Sequence, residues 1–274
     1  MKLETFKKVK SILILIFISF FVACSTTNPY AKMSEEEMVR LAKADLLYSR
    51  ISKIIWIDGQ EVSKEEAINR YTSDYYGERF IDPATDSIVV KVRKVRRSDL
   101  KLKQKIGFYL SYGNYADTIT TRMDIDCTKV DSLLSVAYNK DQENRSDYNN
   151  FKTEIDAKNQ QVLFSIIEQC GFPNSVTYNK KSIEAAWLIL LHSDVQFQKK
   201  YFGEIKKAVK RGDLSSIQFA YFEDKLRINN DKKQRYGTQR SYNDVGNDVL
   251  SPVDNITKVN KRRKKIGLPP VELK

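Results

Sequence analysis

The sequence predicts an α+β fold, a small N-terminal strand–helix–strand part followed by a mainly α-helical C-terminal domain. Three observations predict it. The run Ile54-Ile55-Trp56-Ile57 is of β-rich type and stops at Asp58-Gly59, a tight-turn dipeptide. From Cys127 onward the apolar period becomes helical, with Val130, Leu133, Leu134 and Ala137 spaced i, i+3, i+4, i+7. Helix stops then recur, at Gly171 with Pro173 just beyond it and at Gly212.

Taken in order, Lys7, Lys8 and Lys10 precede the apolar run Ile12 to Val22, which ends at Ala23-Cys24-Ser25. A basic start, a short apolar stretch and small residues at the junction are the parts of an export signal. At 1.5 Å per residue the run reaches roughly 17 Å as a helix, well short of a ~30 Å hydrocarbon core. Phe21-Val22-Ala23-Cys24 resembles the bacterial lipobox, with Phe21 where Leu is usual. That resemblance implies lipid on Cys24 as the first mature residue, with an uncleaved anchor or an ordinary signal peptide as alternatives. Residues 1–23 thus read as a lipoprotein signal peptide and 24–33 as a polar tether. Ser25-Thr26-Thr27-Asn28 lacks an Asp directly after Cys24 and lacks an acidic run. By resemblance this implies an outer-membrane anchor facing the periplasm.

The formal charge is +12, and subtracting the +3 of residues 1–23 leaves +9 for the mature chain. In an exported protein, nucleic acid is not the counterpart of that surplus. An anionic lipid surface or envelope polymer is, although most of the charge reads as solvated surface. Cys127 and Cys170 would be free to pair in an oxidising compartment, but each sits where a small buried thiol would pack, which is the reading preferred here. With one His and no Cys-x-x-Cys, the sequence offers no metal set and no cofactor motif.

Residues 34–126 read as the small α+β domain. Ser34 with Glu37, and Ser63 with Glu66, have capping-box spacing and open two helices around the Ile54 strand. Ser87 to Val92 alternates as a second strand. Lys and Arg crowd the segment from Lys91 to Lys105, with Asp99 its one acid. This segment reads as a charge-protected hairpin or edge strand, with a basic docking face as the alternative. Phe108, Tyr109, Tyr112 and Tyr115 read as strand aromatics engaged in packing, with glycan stacking as the lesser alternative.

Residues 127–240 read as a helical domain and 241–274 as a basic C-terminal tail. Asp141 and Arg145 stand i, i+4 with the acid first, a favourable helical pair. A helix over about 153–170 is followed by one over about 182–194, the most apolar segment of the mature chain. On that helix His192 and Asp194 diverge by about 200°, so they cannot hold one atom together. A fourth helix spans about 197–211 and a fifth about 216–229. In the fifth, Asp224 interrupts an apolar stripe, which calls for a buried cation or a raised pKa. The tail carries Lys258 and Lys261 to Lys265 on a short helix that reads as laid against its own domain.

The segment from about Val130 to Gln239 resembles an uncharacterised bacterial domain family. Four patches carry the resemblance: Asp141-Gln142 with Arg145; Ala185-Ala186-Trp187-Leu188-Ile189 with His192 and Asp194; Ala220-Tyr221 with Asp224-Lys225; and Tyr236-Gly237-Thr238-Gln239. Lys225 stands where the family usually has Arg, and Phe172 where it usually has Trp. The resemblance implies a domain with a polar site, in which Asp141, Gln142, Arg145, Lys225 and Gln239 are binding candidates, and it implies no reaction. Two functions follow. One is a non-enzymatic envelope lipoprotein that binds a ligand or protein partner. The other is a hydrolase or transferase with His192 as acid/base, oriented by Asp194 or Asp224, and with Arg145 and Tyr236 stabilising negative charge.

Overall fold

A computed structural model describes residues 28–72, 74–147, 150–242 and 248–272. The export signal and Cys24 lie outside the described residues. No helix among the described residues is long and apolar enough to cross a membrane. The chain divides into two compact units.

Among the described residues, the first unit comprises 28–33, 50–70 and 77–93. It is built on a five-stranded sheet of order β1-β4-β5-β2-β3, from β1 (Ala31–Lys32), β2 (Ile51–Ile55), β3 (Glu61–Val62), β4 (Tyr75–Asp82) and β5 (Ser87–Lys94). The Asp58-Gly59 turn closes the antiparallel β2/β3 hairpin, with Ile54 opposite Val62 and Gly59 at φ 85°. The helix opened by Ser63 spans Lys64–Arg70, the Ser63 hydroxyl accepting from the Glu66 amide. β2 pairs with β5 in parallel, which requires the crossover that this helix lies within. On β4, Gly77 meets β5 so closely that a Cβ there would stand 2.8 Å from Val90 Cγ1.

The second unit comprises the described residues of 34–49, 71–76 and 94–272. Its helices are α1 (Glu35–Lys43), α3 (Asp99–Tyr112), α4 (Ala116–Thr120), α5 (Val130–Ser146), α6 (Thr153–Cys170), α7 (Lys180–His192), α8 (Val195–Arg211), α9 (Ser216–Ile228) and α10 (Ile256–Lys265), numbered with Lys64–Arg70 as α2. A small antiparallel ribbon, β6 (Arg240–Tyr242) and β7 (Asp248–Leu250), follows α9. Local chemistry sets the helix ends: Asn179, Asp194 and Ser215 cap α7, α8 and α9, and Gly212 ends α8 in the left-handed conformation.

Three expectations are corrected here. The basic segment from Lys91 to Lys105 is neither a hairpin nor an edge strand: Lys91 to Lys94 end β5 inside the sheet, α3 begins at Asp99, and Phe108 and Tyr112 sit inside the helical core, against Phe197 of α8 in the case of Phe108. Phe108 is thus packing, as read, but from a helix. The boundary at 126/127 falls within this core, because Ala116 and Ile119 of α4 share it with Leu163 and Phe164 of α6. Cys127 and Cys170 are joined in a disulfide, Cα atoms 5.7 Å apart, rather than standing as free thiols.

Nearby, Glu168 accepts from Arg122 and from Lys200, at 2.8 Å in the latter case. The hydrogen bonds and charges of Arg122 and Lys200 pull its carboxyl from 4.5 down to about 2, against the opposing effect of burial. A carboxyl lowered on folding stabilises above its unfolded pKa and loses that contribution as pH falls through the folded one. The difference in melting temperature between wild type and Glu168→Gln at neutral pH should therefore close as pH falls from 4.5 to about 2. A gap unchanged at pH 2 would contradict the pairing.

Candidate functional site

The polar residues of α5, α6 and α7 converge on one cluster. Asp141 is buried, and its Oδ1 lies 3.0 Å from His192 Nδ1 and 3.4 Å from Arg145 Nη2. The exposed Gln142 folds back to donate to Asp141 Oδ2 at 2.9 Å. Burial pushes the Asp141 carboxyl up, but hydrogen bonding and charge from His192, with help from Arg145 and Gln142, outweigh it and hold the carboxyl below its usual range. Arg145 makes its shorter ion pair with Asp156 of α6, at 2.7 Å. Asn144 donates to Asp156 as well and brackets the backbone of Lys152 with both ends of its amide.

His192 Nδ1 also lies 2.8 Å from Arg145 Nε. One ring nitrogen cannot donate to Asp141 and accept from Arg145 at once, so the two contacts belong to different tautomers. With the proton on Nδ1, the ring donates to Asp141 and leaves Nε2 a free acceptor. With the proton on Nε2, Arg145 donates to Nδ1 and Nε2 becomes a donor. Among the described residues nothing bonds Nε2.

The His192 ring borders a cleft of about 690 Å³, walled by Arg145, Phe151, Tyr221, Lys225 and Gln239 among others. A smaller opening of about 350 Å³ shares Ser111, Tyr112, His192 and Lys225 with it and adds Asp194 and Asn229. Lys225 is half-buried, and burial followed by the charge of Arg145 pulls its ammonium below the usual lysine range. Asp194 does not meet His192: its carboxylate caps α8 by accepting from the Gln196 amide at 2.9 Å, and burial pushes it above the usual range.

Asp224, singled out because it interrupts an apolar stripe, joins the Tyr236 turn rather than the His192 cluster. It is fully buried, is not among the residues that wall the cleft, and among the described residues has no cation within ion-pair distance. Instead its two oxygens accept from the amides of Arg235, Tyr236 and Thr238 and from the Thr238 hydroxyl, at 2.7 to 3.1 Å. The Gly237-centred turn wraps the carboxylate, and the carbonyls of Tyr236 and Gly237 in turn accept from Arg263 of α10. Tyr236 therefore belongs to this latch and is not among the residues that wall the cleft. Gln239 does wall it, with its amide on Thr238 and Tyr221. The basic tail is docked against its own unit as expected, with Val259 fully buried.

Sequence reasoning missed Asp156 and Phe151, and it named Tyr112 and Tyr221 without placing them at the site. Asp156 lies in the first turn of α6, where an acid also reads as a helix-dipole partner. Only the neighbouring helix reveals its role.

Residues 141–274 match a family of unknown function, DUF6624. The match begins at Asp141 and takes in the whole His192 cluster except its α3 wall, together with the Asp224 latch and the C-terminal helix. No curated protein and no solved structure matches the chain. Among the described residues, no group of His, Cys, Asp or Glu is placed to hold a metal ion.

Proposed function

We propose that the chain is an exported, lipid-anchored protein of the cell envelope, held at the outer membrane and facing the periplasm through lipid on Cys24. Its helical unit binds an envelope ligand in the His192 cleft without chemistry on it. The observation that carries the binding reading is a cleft of about 690 Å³ whose polar wall is held in place by the buried pairs Asp141–His192 and Arg145–Asp156. A prearranged polar wall within a concave apolar surface is the usual form of a ligand site. Among the described residues no hydroxyl or thiol hydrogen-bonds His192, so no side-chain nucleophile is paired with the ring. Export is supported by the signal-like residues 7–24 and by the Cys127–Cys170 disulfide, a bond that oxidising compartments preserve.

Two measurements test this. Labelled palmitate should enter the wild-type chain and not Cys24→Ser; labelling of both would end the anchor reading. A thermal-shift screen of the purified chain against envelope glycans, lipids, nucleotides and small acids should give at least one hit, worth roughly 2.7 kcal/mol at 100 times its dissociation constant. That shift should vanish in His192→Ala. Hits indifferent to His192 would move the site elsewhere.

One observation favours an enzyme as the second reading. An imidazole held through Nδ1 by a carboxylate, with Nε2 open to a cleft, has the geometry of a general base. In that case Asp141 orients the ring in place of Asp194 or Asp224, and Arg145, but not Tyr236, is at hand for negative charge. Conversion of a bound ligand by wild type, lost in His192→Ala and weakened in Asp141→Asn, would establish it over simple binding.

A further inference from the structure

We infer that the cleft selects an oxyanion, a carboxylate or phosphate group, carried on a flat apolar body. This rests on the reading that the cleft binds a ligand, and it names the chemistry of that ligand.

Of the carboxylates at the cleft, Asp141 is held by His192, Gln142 and Arg145, Asp156 by Arg145 and Asn144, and Asp194 by the Gln196 amide. Lys225 is different: among the described residues its ammonium has no carboxylate within ion-pair distance. It borders both openings and is half-buried beside a second cation, Arg145. A half-buried cation without a partner is costly, and an arriving anion relieves that cost.

The surroundings supply donors rather than acceptors. Tyr112 accepts from Gln160 Nε2 at 2.9 Å, which leaves its own O–H to donate, and burial holds that hydroxyl protonated with a pKa pushed up to about 12. Thr153, the first residue of the 18-residue helix α6, also lines the cleft, so the positive end of that helix borders it. His192 adds Nε2–H in the tautomer that accepts from Arg145.

The apolar part of the ligand is indicated by Phe151 and Tyr221. They are 41% and 37% exposed and line the same cleft. The Arg145 guanidinium lies over the Phe151 ring at 5.4 Å from its centroid, which fixes one aromatic wall beside the cationic one. A ligand with an anionic head and a ring or chain beside it meets both walls at once.

Calorimetric titration of the full chain tests this with four probes: phenyl phosphate, benzoate, inorganic phosphate and the neutral benzyl alcohol. Phenyl phosphate or benzoate should bind, inorganic phosphate more weakly, and benzyl alcohol not measurably; the stronger of the first two distinguishes a phosphate from a carboxylate site. Lys225→Met should weaken the anion by about tenfold or more, the loss of one charge-assisted contact. Lys225→Arg should preserve binding. Tyr221→Ala should bring phenyl phosphate down toward inorganic phosphate. Benzyl alcohol binding as tightly as the anions, or a Lys225→Met chain that melts as wild type and binds unchanged, would overturn the inference. A neutral hit in the broader screen that requires His192 would overturn the anion and leave the binding reading standing. The absence of any ligand would overturn both.

Discussion

Asp224→Asn is expected to lower the unfolding free energy by about 3 kcal/mol, because it turns one charged acceptor in a ring of donors into a donor. The Asp224 carboxylate receives three backbone amides and one hydroxyl inside a fully buried site. An Asn side chain of the same shape keeps one acceptor oxygen and sets an NH2 against amides that no water reaches. Thr238→Val removes only the hydroxyl and should cost about 1 kcal/mol. The two variants bracket the latch, since one loses the anchor and the other a single strand of it. Urea denaturation reads both directly. An Asp224→Asn chain with wild-type stability and lost ligand binding would return Asp224 to the functional site.

The disulfide carries the second large effect. Cys127 and Cys170 are 43 residues apart in sequence and close a loop across α5 and α6. The loop-entropy relation gives about 4 kcal/mol for a closure of that length, or roughly 10 °C in melting temperature for a unit of this size. Replacing both cysteines by Ser should cost that amount. A reductant should bring wild type down to the double variant and leave the variant unmoved. The joined segment keeps other ties without the bond: Ser165 accepts from the Met123 amide, and Gln169 holds Met123 and Ile125. The double variant should therefore still fold, with lower stability. Equal melting temperatures with and without reductant would show that the two thiols are unlinked.

The helices whose ends carry strong local chemistry were legible from sequence. Thr153–Cys170 is bounded as predicted, because Gly171 and Pro173 end it by backbone geometry alone. The second strand pair of the first unit was half legible, with β5 read and β4 not: Tyr75 to Asp82 mixes charged and aromatic residues without a clean alternation. Helix α3 was misread for a definite reason. Leu100, Leu102, Ile106 and Phe108 fall at even spacing between lysines, which imitates a strand, and Gly107 weakens the helical signal. Burial of Phe108, Tyr112, Ala116 and Ile119 in one core decides the matter, and those positions do follow a helical period.

For the site, sequence reading selected the right residue types and the Asp141–Arg145 pair, but not the partner of His192. Asp141, Arg145, His192 and Lys225 were all singled out, but the His192 partner was sought in Asp194 and Asp224. Asp141 is 51 residues from His192, and only the packing of α5 against α7 brings them to 3.0 Å. Asp224 was only half legible, for another reason. The turn at Tyr236 could be matched to it, but its donors are mainly backbone amides, with the Thr238 hydroxyl as the side-chain partner, and backbone donors leave no mark in a sequence pattern. The same holds for Cys170, whose place at a helix end suits a packed thiol as well as a bridged one.

His192 is the single histidine of the chain, so its imidazole signals need no assignment. Observing the ring nitrogens by NMR during a titration with phenyl phosphate tests the cleft most directly. A functional site there predicts a saturable shift of the His192 signals in wild type and a much weaker one in Lys225→Met. Signals that stay fixed while the anion binds elsewhere, or that move equally in both proteins, would contradict it.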